Sequence, residues 1–511
     1  MRKIVLLTCS TALLLAGLAP VRAASTVTLS RAGLQDRIRG GWAGQMIGVS
    51  FGAPTEFRYQ RRLIEGDLEW KPSMIDNTIH QDDLYVEMTF AKVMDDLGLE
   101  APIEAYGAAF RDSKYHLWHA NAGARRALNR GLQPPWSGHP KYNVHADDID
   151  FQIEADFIGL MCPGLPRESN RFCDRVGRVM NHGDGLYGGM FVCGMYAAGY
   201  VENDLRTVVE SGLACIPAKS AYARVIRDVL DWSAAHPGSW ETVWRLVTDK
   251  WDRHDPCPDG ALRDFNIDAK INGAFIALGL LFGEGDFRRT VEISTRCGQD
   301  SDCNPSNAAG ILGVMLGYER IPEEFKANLP LLADQKFDYT DYSFNDIVRS
   351  TEKRALELIR ANGGTVTDET VTLKPQSPRA AKLEQWAPGI PSEIIANTHP
   401  AWQWDNHWQV NKGARSTTAV GAEATLEFVG TGIVLIGPLT QEGGHAAVFL
   451  DGEAQDPALD AYIVPNTHDN ALWHRHGLKP GKHTLRIATD GPPDPRSGGS
   501  TVAIQRAVVY R

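Results

Sequence analysis

The stretch GQDSDCNPSNAAGILGVMLG, residues 298–317, places two closely spaced aspartates directly before a predicted helix. Asn304 is a natural N-cap residue, and Pro305 is a natural first helical residue. Helical spacing is then kept by four apolar residues, Ala308, Ile311, Leu312 and Met315. Because the N-terminal end of a helix carries partial positive charge, it stabilises nearby carboxylates. Capping alone therefore explains Asp300 and Asp302.

A second acidic pair, Asp82 and Asp83, precedes another predicted helix that runs from Leu84 to Leu97. Capping alone explains this pair as well. If the two pairs converge in the fold, however, four negative charges lie close together, and without cations some of the carboxyls must bind protons. Divalent cations remove that cost, and oxygen ligands favour Mg²⁺, Mn²⁺ or Ca²⁺ over Zn²⁺. The sequence has no HExxH or paired CxxC motif, which supports the same choice.

Three stretches resemble the ADP-ribosylglycohydrolase family, and the resemblance covers roughly residues 30–362. They are GGWAGQMIGVSFGAPTEF from Gly40, HQDDLYVEMTF from His80, and NGAFIALGLLFGEGDFRRTVEISTRCGQDSDCNPSNAAGILGVMLG from Asn272. The resemblance implies an all-helical domain that binds two Mg²⁺ or Mn²⁺ ions. The metal ligands that it implies are Gln81, Asp82, Asp83, Asp300, Asp302 and Cys303.

Three positions depart from the family's pattern. Gln81 stands where the family usually has Thr, Cys303 where it often has Thr, and Gln45 where it has Asp. A glutamine amide oxygen can still bind a hard cation, whereas a cysteine sulfur is a poor ligand for one and offers its backbone carbonyl instead. The departures indicate a divergent branch, and they put the substrate in question more than the metals.

Glu56 lies in a loop bounded by Gly52 and Pro54, directly after the first predicted helix. The resemblance matches it to a mobile-loop glutamate that approaches a metal and the substrate, so Glu56 is a candidate catalytic residue. An isolated loop glutamate is usually a solvated acid, and that interpretation stays open.

Residues 147–156, DDIDFQIEAD, place Asp150 and Glu154 four positions apart on one predicted helix face. A solvated acidic face is one explanation. The other is a pocket wall, because the resemblance places catalytic or ribose-binding residues in the corresponding helix. We therefore expect Asp150 and Glu154 to be catalytic, and Asp148 and Asp156 to bind substrate.

His182 and Tyr187 belong to a Gly-rich stretch that opens another predicted helix. The resemblance matches His182 to a histidine that lines the site, and the Tyr187 ring can pack on a ligand, so both are predicted to bind substrate. A lone histidine is usually structural, and this alternative stays open. Residues 101–145 contain a stretch that is rich in His and Trp but lacks metal-ligand spacing. Its aromatic side chains suit stacking on a sugar or a base, although core and loop packing is the simpler explanation.

The N-terminus combines Arg2-Lys3, an apolar run from Ile4 to Leu18, and small residues at positions 23 and 24. This pattern predicts a secretory signal peptide over residues 1–24, and hence a periplasmic or secreted protein. Losing three basic residues with it takes the formal net charge from −11 to −14. Because the protein is acidic and has no basic stripe, we expect no nucleic-acid partner. No later apolar run is long enough to span a membrane.

Seven cysteines follow the predicted signal peptide. An odd number in an oxidising compartment leaves at least one unpaired. Cys162 and Cys173 flank a Pro/Gly loop and can form a bridge, whereas Cys193 and Cys215 lie in apolar helical contexts that are typical of buried thiols.

The spacing of apolar residues along the sequence changes after Gly363-Gly364. Residues 363–412 are polar and Pro-rich, which predicts a linker, and residues 413–511 alternate with a period of two, which predicts a β-sandwich. FVGTGIVLIG and LKPGKHTLRI resemble jelly-roll modules that are appended to secreted carbohydrate-active enzymes. Sugar stacking and filling of the domain interface are both open for four tryptophans, Trp402, Trp404, Trp408 and Trp473.

The sequence thus predicts a multidomain protein with an all-α ADP-ribosylglycohydrolase-like domain over residues 25–362 and a C-terminal, jelly-roll-like β-sandwich. We expect a secreted, metal-dependent glycohydrolase that cleaves a ribosyl or related furanosidic N- or O-glycosidic bond. It would use two Mg²⁺ or Mn²⁺ ions, with Ca²⁺ as the alternative. Two other functions stay open: hydrolysis of extracellular glycans on the same fold, and non-catalytic glycan binding. The partner is a small-molecule or glycan substrate, and the oligomeric state is not determined.

Overall fold

The structure is a computed structural model that describes residues 26–492 and 494–511. The predicted signal peptide, residues 1–24, lies outside the described residues. A helical N-terminal region is followed by a C-terminal region rich in β-sheet. The predicted multidomain architecture is therefore confirmed. Within the described ranges, no helix has both the length and the apolar character needed to cross a membrane.

The helical region begins and ends with long helices that are joined by many shorter ones. Its helices are α1 Arg31–Gly52, α2 Asp82–Leu97, α3 Ile103–Asp112, α4 His119–Asn129, α5 Asp150–Ile153, α6 Asp156–Leu160, α7 Pro166–Val176, α8 Asp184–Gly199, α9 Leu205–Cys215, α10 Ala221–Ala235, α11 Trp240–Trp251, α12 Ala269–Gly283, α13 Phe287–Arg296, α14 Cys303–Leu316, α15 Glu323–Lys326, α16 Leu329–Leu332 and α17 Phe344–Ala361.

Helix α1 lies unusually close to α14, because glycines of α1 face the backbone of α14. A Cβ atom added at Gly44 would lie 2.1 Å from the carbonyl oxygen of Ala309, and one at Gly48 would lie 2.2 Å from that of Pro305. Only glycine permits this approach without displacing the helix backbone. The contact places the C-terminal end of α1, and the Glu56 loop after it, beside the start of α14.

The C-terminal region is built from antiparallel strands. The strands of the chain are β1 Val27–Ser30, β2 Thr365–Val366, β3 Thr370–Leu373, β4 Pro391–Ala396, β5 Trp402–Trp404, β6 Gln409–Asn411, β7 Ala414–Thr417, β8 Glu423–Gly430, β9 Gly432–Leu439, β10 His445–Leu450, β11 Glu453–Ala454, β12 Leu459–Asp460, β13 Thr467–Arg475, β14 Gly481–Gly491, β15 Val502–Ile504 and β16 Arg506–Tyr510. One large sheet has the order β11-β10-β14-β8-β5, with β12 paired to β10, and the other has the order β13-β9-β16-β4.

The two large sheets pack face to face over an apolar core. Leu426 and Ile487 of the first sheet share this core with Leu435 and Val509 of the second. Trp402, Trp408 and Trp473 are buried in the same core, and Trp404 packs against it. Trp402, Trp408 and Trp473 therefore fill the core of the sandwich, whereas Trp404 is half-buried beside it. Side-chain alternation along β5 turns Trp402 inward, and alternation along β13 does the same for Trp473.

The outer face of the second sheet is also buried, because it packs against the helical region. Side chains from both sides form this contact: Val434, Ile436, Val508 and Tyr510 from the sheet, and Val144 and Ala261 from the helical region. The hydroxyl of Tyr510 donates a hydrogen bond to the carbonyl oxygen of Pro256 at 2.8 Å. The two regions thus share a continuous apolar contact.

The predicted linker, residues 363–412, contains the strands β2 to β6. Strand β3 pairs with β1 at the N-terminal end of the helical region, whereas β4 pairs with β16 in the sandwich. The sandwich accordingly begins at Pro391, earlier than the predicted position 413. Strand pairing with distant partners converts a polar stretch into ordered structure, and local periodicity does not reveal such pairing.

Candidate active site

The N-terminal ends of α2 and α14 meet, and they bring the two acidic stretches together. The thiol of Cys303 donates a hydrogen bond to Oδ2 of Asp83 at 3.2 Å. Ligand atoms of Asp300, Asp302 and Cys303 all lie within 4.8 Å of one another. These residues, together with Asp82 at the first position of α2, form the cluster that we call the acidic centre.

The acidic centre is crowded with negative charge. Burial, followed by repulsion from Asp82 and Asp302, raises the pKa of Asp83 well above its usual value. Burial and then repulsion from Asp302 do the same for the pKa of Asp300. For Asp82, burial and then repulsion from Asp302 raise the pKa to about 6. Each carboxyl therefore makes ionisation of its neighbours more costly.

Two oxygens of the acidic centre fit a bound cation. Oδ1 of Asp83 and Oδ1 of Asp300 are buried, and neither has a hydrogen-bond partner among the described residues. Buried carboxylate oxygens without donors are costly unless a cation lies beside them. Hard carboxylate oxygens are also the ligands that Mg²⁺ and Mn²⁺ prefer. The residues present therefore fit the divalent ions that the resemblance implies.

The two residues that depart from the family pattern occupy different positions in this centre. Gln81 precedes α2, is half-buried, and its side chain makes no capping hydrogen bond to that helix. Its amide oxygen is therefore free to serve as a ligand. Burial raises the pKa of the Cys303 thiol well above its usual value, so this side chain is a neutral hydrogen-bond donor to Asp83.

The loop that carries Glu56 is attached by backbone hydrogen bonds to the segment that carries Asp300. The amide of Phe57 donates to the carbonyl oxygen of Gln299 at 3.1 Å, and the amide of Gln299 donates to that of Tyr59 at 3.1 Å. Glu56 is exposed at the rim of the acidic centre. Partial loss of hydration there, and then repulsion from Asp302 and Asp82, raise its pKa to about 8.

Asp150 has a structural environment that the sequence did not indicate. Its Oδ1 accepts from the backbone amide of Asn121 at 2.9 Å, and its Oδ2 accepts from that of Ala120 at 3.1 Å. Both oxygens thus satisfy amides in the first turn of α4, although burial raises the pKa of Asp150 to about 6. Asp150 therefore holds the start of α4, and its catalytic role stays a prediction.

Glu154 lies between α5 and α6, so it does not share a continuous helix with Asp150. One of its oxygens accepts a hydrogen bond from Nδ2 of Asn121, and Oε2 has no partner among the described residues. Burial, and then repulsion from Asp150, Asp82 and Asp83, raise its pKa well above the usual value. Glu154 is therefore an unsatisfied carboxyl beside the acidic centre.

The two predicted substrate-binding acids are engaged by other side chains. Asp148 places Oδ2 at 2.8 Å from Nδ1 of His145. Asp156 accepts hydrogen bonds from the hydroxyl of Tyr196 and from Nδ2 of Asn307, the latter at 2.7 Å. Burial raises the pKa of Asp156 to about 7. Neither carboxyl group therefore has both oxygens available for a substrate.

His182 and Tyr187 contact the chain that follows the helical region. Nδ1 of His182 lies 3.2 Å from Oε2 of Glu384. The Tyr187 hydroxyl accepts from the backbone amide of Glu384 at 2.7 Å and donates to the carbonyl oxygen of Lys382 at 3.0 Å. The polar atoms of both residues therefore anchor this segment, and substrate binding by them stays a prediction. The sequence alone does not show that residues 382–384 fold back onto α8.

Glu87 is a buried acid near the centre that the sequence analysis missed. It lies one helical turn after Asp83, and its Oε2 accepts from the amide of Phe157 at 2.7 Å. Its Oε1 has no partner among the described residues. Burial, and then repulsion from Asp156, raise its pKa well above the usual value. The spacing of four residues from Asp83 is the signal that could have identified it.

A wide cleft lies between the helical region and the sandwich, with a volume of about 1820 Å³. Its lining includes Trp118, whose surface is 50% exposed, and His119. The His119 ring stacks on Phe265 with centroids 5.9 Å apart, and Phe265 contacts Phe57 at 5.1 Å. A row of rings therefore leads from the cleft to the residue next to Glu56.

Comparison with known proteins gives one strong match and several weak ones. The family model described as ADP-ribosylglycohydrolase matches residues 30–357. A solved structure described as an ADP-ribosylglycohydrolase-related protein complex is 15% identical, with 64% of this chain and 99% of that chain covered and a TM-score of 0.38. No curated protein matches this chain.

Other solved structures match a smaller part of the chain. A family two carbohydrate esterase from Cellvibrio japonicus is 14% identical, and the match covers 23% of this chain and 33% of that chain with a TM-score of 0.18. A two-domain esterase active on acetylated mannans is 13% identical, covers 32% of this chain and 46% of its own, and has a TM-score of 0.20. Likenesses this weak carry no argument about function. The family model, in contrast, spans well over half of the chain and includes both acidic stretches, and the chain therefore belongs to the ADP-ribosylglycohydrolase family.

Proposed function

We propose that this protein is a secreted, metal-dependent glycohydrolase that cleaves a ribosyl or related furanosidic N- or O-glycosidic bond. Family membership supports a glycohydrolase. The observation that carries the metal dependence is the meeting of Asp83 with Asp300 and Asp302, with two buried oxygens that have no hydrogen-bond partner among the described residues. The proposed secretion rests on the sequence of residues 1–24.

Two divalent ions would be held by Asp82, Asp83, Asp300 and Asp302, with the amide oxygen of Gln81 as a further ligand. Mg²⁺ or Mn²⁺ suits these oxygens best, and Ca²⁺ is the alternative. When bound, such ions supply positive charge that binds the diol of a sugar and orients a water molecule towards the anomeric carbon.

The chain itself must move a proton during hydrolysis. The bond between the anomeric carbon and the leaving group breaks, and a bond to the water oxygen forms through an oxocarbenium-like transition state. Partial loss of hydration, and then repulsion from Asp302 and Asp82, raise the pKa of Glu56; bound cations would offset that repulsion, so this side chain would be a carboxylate in the loaded site. We assign the proton of the attacking water to that carboxylate, because the side chain is exposed at the rim and its loop is held beside Asp300. The leaving group departs with the bonding electron pair and then takes up this proton from Glu56. Oε2 of Glu154 has no hydrogen-bond partner among the described residues, so this side chain suits orientation of the sugar hydroxyls.

Hydrolysis of an extracellular glycan is the second candidate function. It is favoured by the cleft of about 1820 Å³, which exceeds the roughly 300–1,000 Å³ typical of small-ligand pockets. Exposed Trp118 lies in its wall and suits sugar stacking. The complete set of four aspartates argues against the third candidate, a non-catalytic glycan-binding protein.

A hydrolysis screen with Mg²⁺ and Mn²⁺ tests the proposal. Its substrates are ADP-ribosyl compounds, nucleosides, aryl furanosides and oligosaccharides, and Asp302→Asn with the same metals is the control. We expect turnover of a furanosidic substrate that chelators and Asp302→Asn abolish. Turnover of oligosaccharides alone would select the second candidate, and glycan binding without turnover of any substrate would select the third.

A further inference from the structure

A second group of side chains with metal-ligating chemistry lies apart from the acidic centre. Ligand atoms of His119, His145, Cys257 and Asp259 all lie within 4.8 Å of one another. They come from three separate segments: the first residue of α4, the loop before α5, and the loop between α11 and α12. The proposed hydrolysis uses none of the four.

Two distances within this group match those between neighbouring ligands of a tetrahedral transition-metal ion. Sγ of Cys257 lies 3.5 Å from Nδ1 of His145, and Nδ1 of His119 lies 3.4 Å from Oδ2 of Asp259. With metal–nitrogen and metal–oxygen bonds of about 2.0–2.2 Å and a metal–sulfur bond of about 2.3 Å, neighbouring ligands of a tetrahedral zinc ion lie roughly 3.4–3.6 Å apart. These two pairs are therefore at the separations that one ion would give, and the remaining pairs of ligand atoms lie within 4.8 Å of one another.

His119 shows that the group is incompletely satisfied by the protein. Its Nδ1 is shielded from solvent and lies 3.4 Å from Oδ2 of Asp259, but the geometry is not that of a hydrogen bond to any of the described residues. Its backbone has a φ of +41°, which is strained for a residue with a side chain. The imidazole is thus held in place at an energetic cost, with its ring nitrogen directed at the other three groups.

The competing explanation is a network of ion pairs without metal. Oδ2 of Asp148 lies 2.8 Å from Nδ1 of His145 and 3.6 Å from Nδ1 of His119. Two protonated histidines between Asp148 and Asp259 would be balanced in charge. This network, however, assigns no role to the Cys257 thiol, which is buried and lies beside His145.

We propose that His119, His145, Cys257 and Asp259 bind one transition-metal ion of the zinc class. A thiolate and two imidazoles select a borderline-soft ion, in contrast to the all-oxygen acidic centre that selects Mg²⁺ or Mn²⁺. Because four protein ligands complete a tetrahedral shell, the site is closed and structural. Binding displaces the Cys257 thiol proton, so the thiolate forms only in the loaded site.

The position of this site indicates what the ion stabilises. The loop that carries Cys257 and Asp259 also contacts the sandwich, through the bond from Tyr510 to Pro256 and the packing of Ala261. The metal would tie this loop to the start of α4. It would thereby hold the sandwich on the helical region and fix Phe265, against which Phe57 packs beside Glu56.

Cobalt spectroscopy on the full-length, untagged protein tests the site. After chelator treatment, we expect one equivalent of Co²⁺ to produce a sulfur-to-cobalt charge-transfer band and the strong visible absorption of four-coordinate Co²⁺. The band should disappear in Cys257→Ser. It should persist in Cys297→Ser, which alters a buried thiol elsewhere, and in Cys303→Ser, which alters the acidic centre. No sulfur band at saturating Co²⁺, or a band lost with Cys303 and retained without Cys257, would overturn the proposal.

A second variant keeps the test decisive if Cys257→Ser does not fold. His119→Gln should weaken Zn²⁺ binding at least tenfold and abolish the rise in Tm that one equivalent of Zn²⁺ produces in the wild type. Asp302→Asn should leave both quantities unchanged, so failure of the proposed hydrolysis and failure of this site are distinguishable. Unchanged Zn²⁺ affinity in a folded His119→Gln protein would establish the metal-free ion-pair network instead.

Discussion

Cys303 and Asp83 are joined by a hydrogen bond of 3.2 Å although 220 residues separate them in sequence. The bond links the first turns of α14 and α2, so two positive helix ends point at one cluster of carboxyls. These helix ends offset part of the repulsion between the carboxyls. Oδ1 of Asp83 and Oδ1 of Asp300 have no hydrogen-bond partner among the described residues, so we expect bound cations to offset the rest of the repulsion.

Removing a ligand from the acidic centre should abolish metal-dependent stabilisation. At Mg²⁺ concentrations about 100-fold above Kd, a site that binds only the folded protein adds about 2.7 kcal/mol to the free energy of unfolding. We expect thermal unfolding to show this rise in the wild type and its loss in Asp300→Asn and Asp302→Asn. Asp249→Asn, at an exposed position of α11, is the matched control. If millimolar Mg²⁺ changes neither the Tm nor the metal content of the wild-type protein, the acidic centre is not a metal site.

Glu56→Gln should lower kcat by about 100-fold or more, because general-base catalysis contributes roughly 10²–10⁴-fold. Metal content should remain that of the wild type, since the glutamine keeps the size of the side chain. The measurement is steady-state kinetics on the substrate found in the screen, with metal analysis of the same samples. Glu65→Gln, an exposed glutamate nearby, is the control. If Glu56→Gln keeps full activity, Glu154 accepts the proton instead.

Asp150→Ala should destabilise the protein by about 1–2 kcal/mol, because two amides at the start of α4 lose their acceptor. Asp150→Asn should cost less, since its amide oxygen retains one of the bonds. Urea unfolding measures both changes. If Asp150→Asn instead keeps wild-type stability and loses turnover, the residue acts in the chemistry and its assignment to α4 is incorrect.

Val508→Asp should weaken the contact between the two regions, because it places a charge in a buried apolar interface. We expect a lower Tm and faster proteolysis between residues 375 and 391. Val429→Asp, at a sandwich position that is 68% exposed, should change neither. The same contact predicts that truncation near Gly364 exposes Val144 and Ala261 and lowers solubility. A soluble and equally stable truncated chain would show that the regions are independent modules.

His474 should make the contact between the regions sensitive to acid. Burial lowers its pKa to about 4, and its Nε2 lies 2.7 Å from the carbonyl oxygen of Pro140. The unfolded chain binds a proton near pH 6.5 and the folded chain only near pH 4, so stability is complete above pH 6.5 and falls as the pH drops towards 4. His474→Gln should remove about 1–3 kcal/mol of this loss. The check is the difference in unfolding free energy between variant and wild type at pH 4.5 and pH 8, and an equal difference at both would refute it.

Motifs with local causes could be predicted from the sequence. Asp82, Asp83, Asp300 and Asp302 could be placed at helix starts because capping chemistry depends on neighbouring residues. The helical and β-rich regions were predictable because apolar periodicity is set by the backbone geometry of each element.

The roles of individual polar side chains were decided by the tertiary structure. Nothing near Asp150 in the sequence shows that α4 begins beside it, and nothing near His182 shows that Glu384 folds back to meet it. Hydrogen-bond partners far apart in sequence are chosen by packing, which local spacing does not encode. The same reason applies to His119 and Cys257, which lack metal-ligand spacing along the chain and lie in one cluster only because the α4 start and the loop before α12 pack together. Neighbouring residues are enough to show which chemical groups the chain carries and on which helices or strands they lie, whereas long-range packing sets which of these groups meet.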